Sequence, residues 1–292
     1  MKFRTPRQNK IKLASGSQKV VFTIASIVLF VFALTYIGAF LWGVMAGFKN
    51  NDDFCNFPFA LPSTWHPENY IDVFKMLKVG ETNMLGMILN SVWLVAGGSV
   101  LTVFGSTLMA YAVTKYNFFG KKALIVINIV IMTLPIIGAM PSRYRLFEFF
   151  NFINSPTILF AYFGGFGAYN LYMCAFFRGV SPTYSEAAEI DGANDFIILF
   201  KIILPLAKGI LTALLIMEAV VIWNDYNTAL IYMPKLPTLA TGIYMFNAKS
   251  LYEVRMDILM AATIISALPP LILYGLGHKT ILNNVSLGGI KG

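Results

Sequence analysis

Four carboxylates, Glu186, Glu189, Asp191 and Asp195, fall within the ten residues EAAEIDGAND. Carboxylates at this density can form an acid–base pair, a metal site or a charged contact surface. A metal site would want histidine or cysteine close by. The chain has two of each, His66, His278, Cys55 and Cys174, at no metal-ligand spacing and with no disulfide framework. A nucleotide site would want a glycine-rich phosphate loop. GLGHKT near the C-terminus lacks the Gly-Lys pair, and GGFGAYN fails the dinucleotide spacing. Nothing in the sequence supports an enzyme, and no metal or cofactor is expected on this chain. The carboxylates read best as a surface to be held by something else.

The local signals describe what carries them. Ser181-Pro182 is a helix start, a capping hydroxyl followed by proline at the first turn. Glu186 and Glu189 lie three apart on one helical face and suit the helix macrodipole. Ala187 and Ala188 keep the helix slim enough for close approach. Asp191-Gly192-Ala193 supplies a turn in which Gly192 can take positive φ. A second, apolar helix begins near Asn194 and runs through Leu204 to Pro205, where a bend is expected. The expectation is a short surface helix over about 182–192, then a turn, then re-entry into an apolar phase.

That apolar phase is lipid. Hydrophobic residues make up 57% of the 292-residue chain and charged residues 12%, with a mean hydropathy of +0.68. Soluble domains carry about 25% charged residues, so there is too little polar surface here for a water-soluble core. The predicted fold class is an all-α polytopic membrane protein, one transmembrane domain over 1–292. Six spans are expected, at about 20–46, 85–112, 123–141, 157–177, 203–223 and 258–277. The surface helix falls between the fourth and fifth. The first span is read as a retained anchor, because its apolar run is about twice a signal-peptide core.

With the N-terminus inside, the inner segments hold 14 Lys and Arg and the outer loops 8. Both termini and the surface helix are therefore expected in the cytoplasm. The formal charge of +8 is a topology signal that needs no nucleic acid. The outer loop at about 48–83, with Pro58, Pro62 and Pro67, is expected to be extended and turn-rich.

Within the spans, Glu218 is the one deeply placed acid, near the outer end of its helix. A substrate contact and a snorkelling or interhelical role are equally open. Tyr162, Phe166, Tyr169, Met173 and Phe176 recur at helical spacing, which makes a packing stripe or a face for sugar rings. Asn90 and Asn128 either line a cavity or bond between helices. Trp223, Asn224, Asp225 and Tyr226 end the fifth span, as an interfacial anchor, a gate or a contact for an external protein.

Glu186-Ala187-Ala188, three residues, Gly192, nine residues, then Ile202, Leu204 and Pro205 resemble the EAA signature of ABC-importer permeases. EAAEIDGA is similar to the carbohydrate-uptake group, smaller subunit. LPSTWHPENYIDVF, WNDY and the tail SLGGIKG resemble segments of the same proteins, so the likeness covers about residues 20 to 292. The resemblance implies a bacterial cytoplasmic-membrane protein importing a sugar or oligosaccharide. Its partners would be a second permease subunit, two cytoplasmic ATPases carrying ATP and Mg, an extracytoplasmic solute-binding protein and membrane lipid. The helix with Glu186 would dock in an ATPase cleft and couple ATP closure to the membrane core, with Glu186 meeting a basic residue. The alternatives are a permease for a non-sugar solute such as glycerol phosphate, or an ion-coupled secondary transporter. Lys208 is the lone basic residue of the expected spans, which favours a neutral saccharide.

Overall fold

The computed structural model describes residues 16–133, 138–253 and 255–285. The basic N-terminal residues and the SLGGIKG tail lie outside the described residues.

Three long helices set the frame: α1 (Gly16–Ala46), α4 (Met84–Lys115) and, at the end of the chain, α14 (Met256–Val285). Their 30 to 32 residues give lengths of about 45–48 Å, more than the ~30 Å of a hydrocarbon core. Among the described residues these three helices are long and apolar enough to cross a membrane, and a bent pair makes up to four. The α1 helix is exposed along nearly its whole length and touches the bundle at its C-terminal end, where Gly43 sits against Ile264.

The segment after α1, expected as an extended outer loop, is partly helical. It forms α2 (Asn51–Asn56) and α3 (Asn69–Met76), then a two-stranded hairpin of β1 (Lys78–Val79) and β2 (Thr82–Asn83). The prolines lie between the helices rather than in them. A fully buried lysine holds the loop, since Lys49 Nζ donates to the carbonyls of Phe57 at 2.6 Å and Pro58 at 3.4 Å. Asn69 donates to Gly47 O and Lys49 O, and Trp42 Nε1 to Pro58 O.

The 123–141 stretch is not one helix. It holds α5 (Lys121–Thr133), and α6 (Met140–Phe149) begins after Gly138, whose φ of +85° cannot continue a helix. The 157–177 stretch is broken too. A 3₁₀ helix over Pro156–Tyr162 gives way to a non-helical glycine run, and α7 (Ala168–Gly179) follows. The run stays close to α4 because neither side has a side chain in the way: a Cβ on Gly105 would lie 2.9 Å from Gly164 O.

The surface helix α8 (Thr183–Ile190) leads into α9 (Asp195–Ile197), a π turn over Ile198–Ile203 and α10 (Leu204–Leu206). The chain then bends by 76° into α11 (Lys208–Asn224). Two helices, α12 (Tyr226–Tyr232) and α13 (Leu239–Glu253), connect α11 to α14. Helix α4 packs against α7 and α11, and α11 also packs against α14. The buried side chains form two clusters. One, around Leu94, Ile158, Trp223 and Tyr232, joins α4, α11, α12 and α14, and the other, around Tyr111, Met173, Ile198 and Leu214, lies beneath α8.

Candidate functional site: the presented acidic helix

Helix α8 begins one residue later than Ser181-Pro182 suggested. Pro182 is the cap, and Ser181 Oγ accepts from Thr183 N–H at 3.4 Å. The C-terminal end is closed by two backbone bonds. Gly192 N–H donates to Glu189 O at 3.0 Å and Ala193 N–H to Ala188 O at 2.9 Å, with Gly192 at φ +80°. This is the Schellman arrangement, in which a left-handed residue satisfies carbonyls that the helix leaves open. The apolar contact that accompanies it is present, because Ala188 and Ala193 both sit in the cluster under the helix. Asn194 then caps the next segment by accepting from Ile197 N–H at 2.9 Å. The turn is thus fixed at both ends by backbone chemistry.

The helix is seated by small residues and presents large ones. Ser185 and Ala188 are buried against the bundle, while Glu186, Ala187, Glu189, Ile190 and Asp191 are exposed. So of the two alanines expected to admit a partner, Ala188 instead packs on the chain itself. Ile190 is 86% exposed and Phe196 75%. Apolar side chains offered this openly beside carboxylates suit a protein surface more than a solvated helix.

The four carboxylates divide. Glu186, Glu189 and Asp195 border a recess of about 270 Å³ with Tyr111, Lys115 and Tyr116, and Asp191 faces a recess on the other side of α8. Burial pushes the Tyr116 phenol above its ordinary range, and the Asp195 charge adds to that. Ser185 Oγ is buried on the same recess and lacks a hydrogen-bond partner among the described residues. Leu204 and Pro205 stand just before the 76° bend, so the acidic helix and α11 are joined through an angled segment.

The other expected site residues fall into two groups. Asn90 and Asn128 bond within the fold. Asn90 Nδ2 donates to Pro237 O at 3.0 Å. Asn128 is buried, accepts from Gly167 N–H and donates to Asn170 Oδ1 at 3.3 Å, which holds the start of α7. The aromatic stripe is not one helical face, because Tyr162 ends the 3₁₀ helix and Phe166 lies in the glycine run. Met173 from the same stripe is fully buried. Tyr169, on α7, faces Glu218 on α11, and Thr102 on α4 faces the same carboxylate.

At the C-terminal end of α11, Trp223 is buried, and its Nε1–H donates to Ser266 O at 3.0 Å. The reason lies four residues further along α14. Pro269 and Pro270 stand inside that helix, and Pro270 has no N–H to give Ser266 O. The indole satisfies the carbonyl that the proline frees. Asn224 donates to Val220 O at 2.8 Å, and Asp225 caps α12 by accepting from Asn227 and Thr228 N–H. Tyr226 stacks on Tyr244 of α13, with ring centroids 4.4 Å apart and planes at 16°. Tyr244 was not legible as a partner, because the pair is made by the path of the chain between α12 and α13. Among the described residues no cluster of three or more His, Cys, Asp or Glu is placed to hold a metal.

Membrane-length helices, a broken helix pair after the acidic signature and a presented acidic helix fit a membrane transport protein of the permease class. The chain belongs to the family described as the binding-protein-dependent transport system inner membrane component, whose model matches residues 102–283. It is 29% identical over 272 residues to the probable ABC transporter permease protein YurM of Bacillus subtilis, covering 90% of this chain and 87% of that one. It is 25% identical over 284 residues to the diacetylchitobiose uptake system permease protein NgcG of Streptomyces coelicolor, covering 96% and 92%. Among solved structures it resembles a chain of a bacterial ABC transporter involved in the import of the acidic polysaccharide alginate. The TM-score there is 0.72 at 21% identity, over 92% of this chain and 99% of that one. Its family is one of transport permeases rather than catalytic enzymes.

Proposed function

We propose that this chain is one permease subunit of an ATP-driven importer in the bacterial cytoplasmic membrane, and that it forms half of the pathway for a neutral sugar or oligosaccharide. The observation that carries this reading is α8. It is a short acidic helix seated by Ser185 and Ala188, closed by Gly192, and joined through an angled segment to α11. In this reading α8 docks in a cleft of a cytoplasmic ATPase. Glu186 makes a charge-assisted contact there, and closure of two ATPases on ATP and Mg moves the helix against the bundle. A second, related permease completes the pathway, and an extracytoplasmic binding protein delivers the solute.

The six-span topology belongs to the same proposal. The apolar stretches at 123–141 and 157–177 serve as the third and fourth crossings in broken form. Both termini then lie in the cytoplasm, on the side with the denser Lys and Arg. Support for a saccharide comes from relatives named for diacetylchitobiose and arabinooligosaccharides. Neutrality is favoured because Lys208, at the start of α11, is the lone basic residue of the expected spans and Glu218 is half-buried deeper in that helix.

The test is Glu186→Lys in the complete complex. The variant is expected in the membrane at the wild-type level, with ATP-coupled uptake lost. Normal uptake by the variant would sink the docking assignment, and failure of any ATPase to co-purify with the wild-type chain would sink the function.

A further inference from the structure

Beside the stacked tyrosines lies a recess of about 340 Å³, lined by Asn224 and Tyr226, by Tyr244 of α13, and by Thr263 and Ser266 of α14. This is at the small end of the ~300–1,000 Å³ range of ligand pockets, the room for one ring of a saccharide rather than a whole oligomer. Thr263 and Ser266 lie seven and ten residues into α14 from Met256, about 10–15 Å below its outer end at 1.5 Å per residue. The Thr263 hydroxyl is satisfied by Leu259 O at 2.8 Å, whereas the Ser266 hydroxyl has no hydrogen bond among the described residues. An unpaired hydroxyl at that depth is penalised by hydrocarbon and is better placed against water or a polar ligand.

We propose that this recess is a saccharide subsite on the outer half of the pathway, taking one neutral pyranose ring. The proposal rests on the reading of the chain as a sugar permease and adds to it a place and a charge preference. Stacked on each other, Tyr226 and Tyr244 each keep one ring face outward, and such a face suits the C–H side of a sugar ring. The hydroxyls of Tyr226, Tyr244 and Ser266 carry no hydrogen bond among the described residues, and Asn224 uses its amide on Val220 O and keeps its side-chain carbonyl for a ligand. Every lining residue is uncharged. The pocket therefore offers hydroxyl partners and no cation, which suits neutral rings and gives a carboxylate or phosphate nothing to pair with.

The experiment uses the complete complex in proteoliposomes, with its binding protein and a panel of labelled neutral disaccharides: maltose, cellobiose and diacetylchitobiose. Two readouts are taken for wild type, Tyr244→Ala and Tyr244→Phe. These are the maximal uptake rate and the concentration of sugar-loaded binding protein that half-saturates ATPase stimulation. Tyr244→Ala is expected to lower maximal uptake at least tenfold with the half-saturating concentration unchanged. Tyr244→Phe keeps the wall and is expected to lose only two- to threefold, which separates a lost platform from a misfolded chain.

A shift in half-saturation with maximal uptake intact would make Tyr244 a contact for the binding protein and overturn the subsite. Wild-type uptake in both variants would overturn it as well. If the wild-type complex takes up no disaccharide at the expense of ATP, the sugar-permease reading itself has failed, a result distinct from either.

Discussion

Replacing Gly192 by alanine isolates the backbone contribution to the presentation of α8. The residue sits at φ +80°, and a Cβ built there meets nothing within 4 Å. The substitution therefore introduces no clash, and its whole effect comes from holding an L-residue in the left-handed region. That costs about 1–2 kcal/mol, equivalent to a factor of about 5–30 in a population. The strain falls on the two bonds that close the helix, Gly192 N–H to Glu189 O and Ala193 N–H to Ala188 O. It is expected to lower the fraction of chains that present Glu186 and Glu189 correctly, without unfolding the bundle. Asparagine tolerates this conformation better, so Gly192→Asn should fall between alanine and wild type. The assay is ATPase stimulation of the reconstituted complex by loaded binding protein, with co-purification of the ATPase as the companion measurement. Gly192→Ala is expected to reduce coupled turnover about 5- to 30-fold. A variant with alanine that couples as well as wild type, or an asparagine variant worse than alanine, would refute the reasoning. The second result would mean that side-chain size, not φ, sets the effect.

Three further outcomes follow from contacts elsewhere. Trp223→Phe leaves Ser266 O without its donor, at a cost of about 1–3 kcal/mol; a lower melting temperature is expected for the purified complex, partly restored when Pro270→Ala returns a backbone N–H to that carbonyl. No recovery in the double variant would show that the indole and the proline are not coupled. Lys49→Met removes the donor shared by Phe57 O and Pro58 O, a loss of about 1.5–3 kcal/mol for hydrogen bonds to a charged group. Protease cleavage of the segment between α2 and α3 in intact proteoliposomes should rise, and unchanged protection would count against the clamp.

Asp53 Oδ2 accepts from Ser63 N–H at 2.7 Å, and that bond holds its carboxyl below the ordinary aspartate value of 3.8. A depressed folded pKa means that the contribution is fully present above 3.8 and is lost as pH falls through the lower folded value. Ser63 N–H protection from hydrogen exchange, corrected for the intrinsic rate, should fall across that window in wild type and show no such step in Asp53→Asn.

The elements that depend on one local signal were legible in the sequence. Uninterrupted apolar runs mark α1, α4 and α14, and the Asp191-Gly192 pair marks the turn that ends α8. Runs whose continuity depends on glycine were not. The stretch from Pro156 to Phe177 has the composition of one span, yet Gly164, Gly165 and Gly167 let the backbone leave the helix and lie against Gly105. The stripe of aromatics inferred from helical spacing went with it, although Tyr169 still meets Glu218 across two helices. For Trp223 the sequence leaves an interfacial anchor, a gate and a contact for an external protein open. Its actual role depends on Pro270, 47 residues away, and no local pattern links them. Asn128 offered cavity lining and interhelical bonding equally, and in the structure it accepts from the N–H of Gly167, the cap of α7.

The π turn over Ile198–Ile203 bears on how the signature between Gly192 and Pro205 should be read. A π turn holds more residues per revolution than an α turn. The segment thus carries length that an ordinary helix between the same two points would not need. Deleting one residue there would let the turn relax to α geometry with its two ends nearly in phase, because the π turn is what absorbs the extra residue. Adding one to an α-helical part of the segment would instead rotate everything N-terminal to it by about 100°, one residue's share of a 3.6-residue turn. Glu186 and Glu189 would then keep their identity, their exposure and their helix, but would point elsewhere. The residue count between the glycine and the proline is therefore a dihedral setting for the acidic face, with one residue of slack held in the π turn.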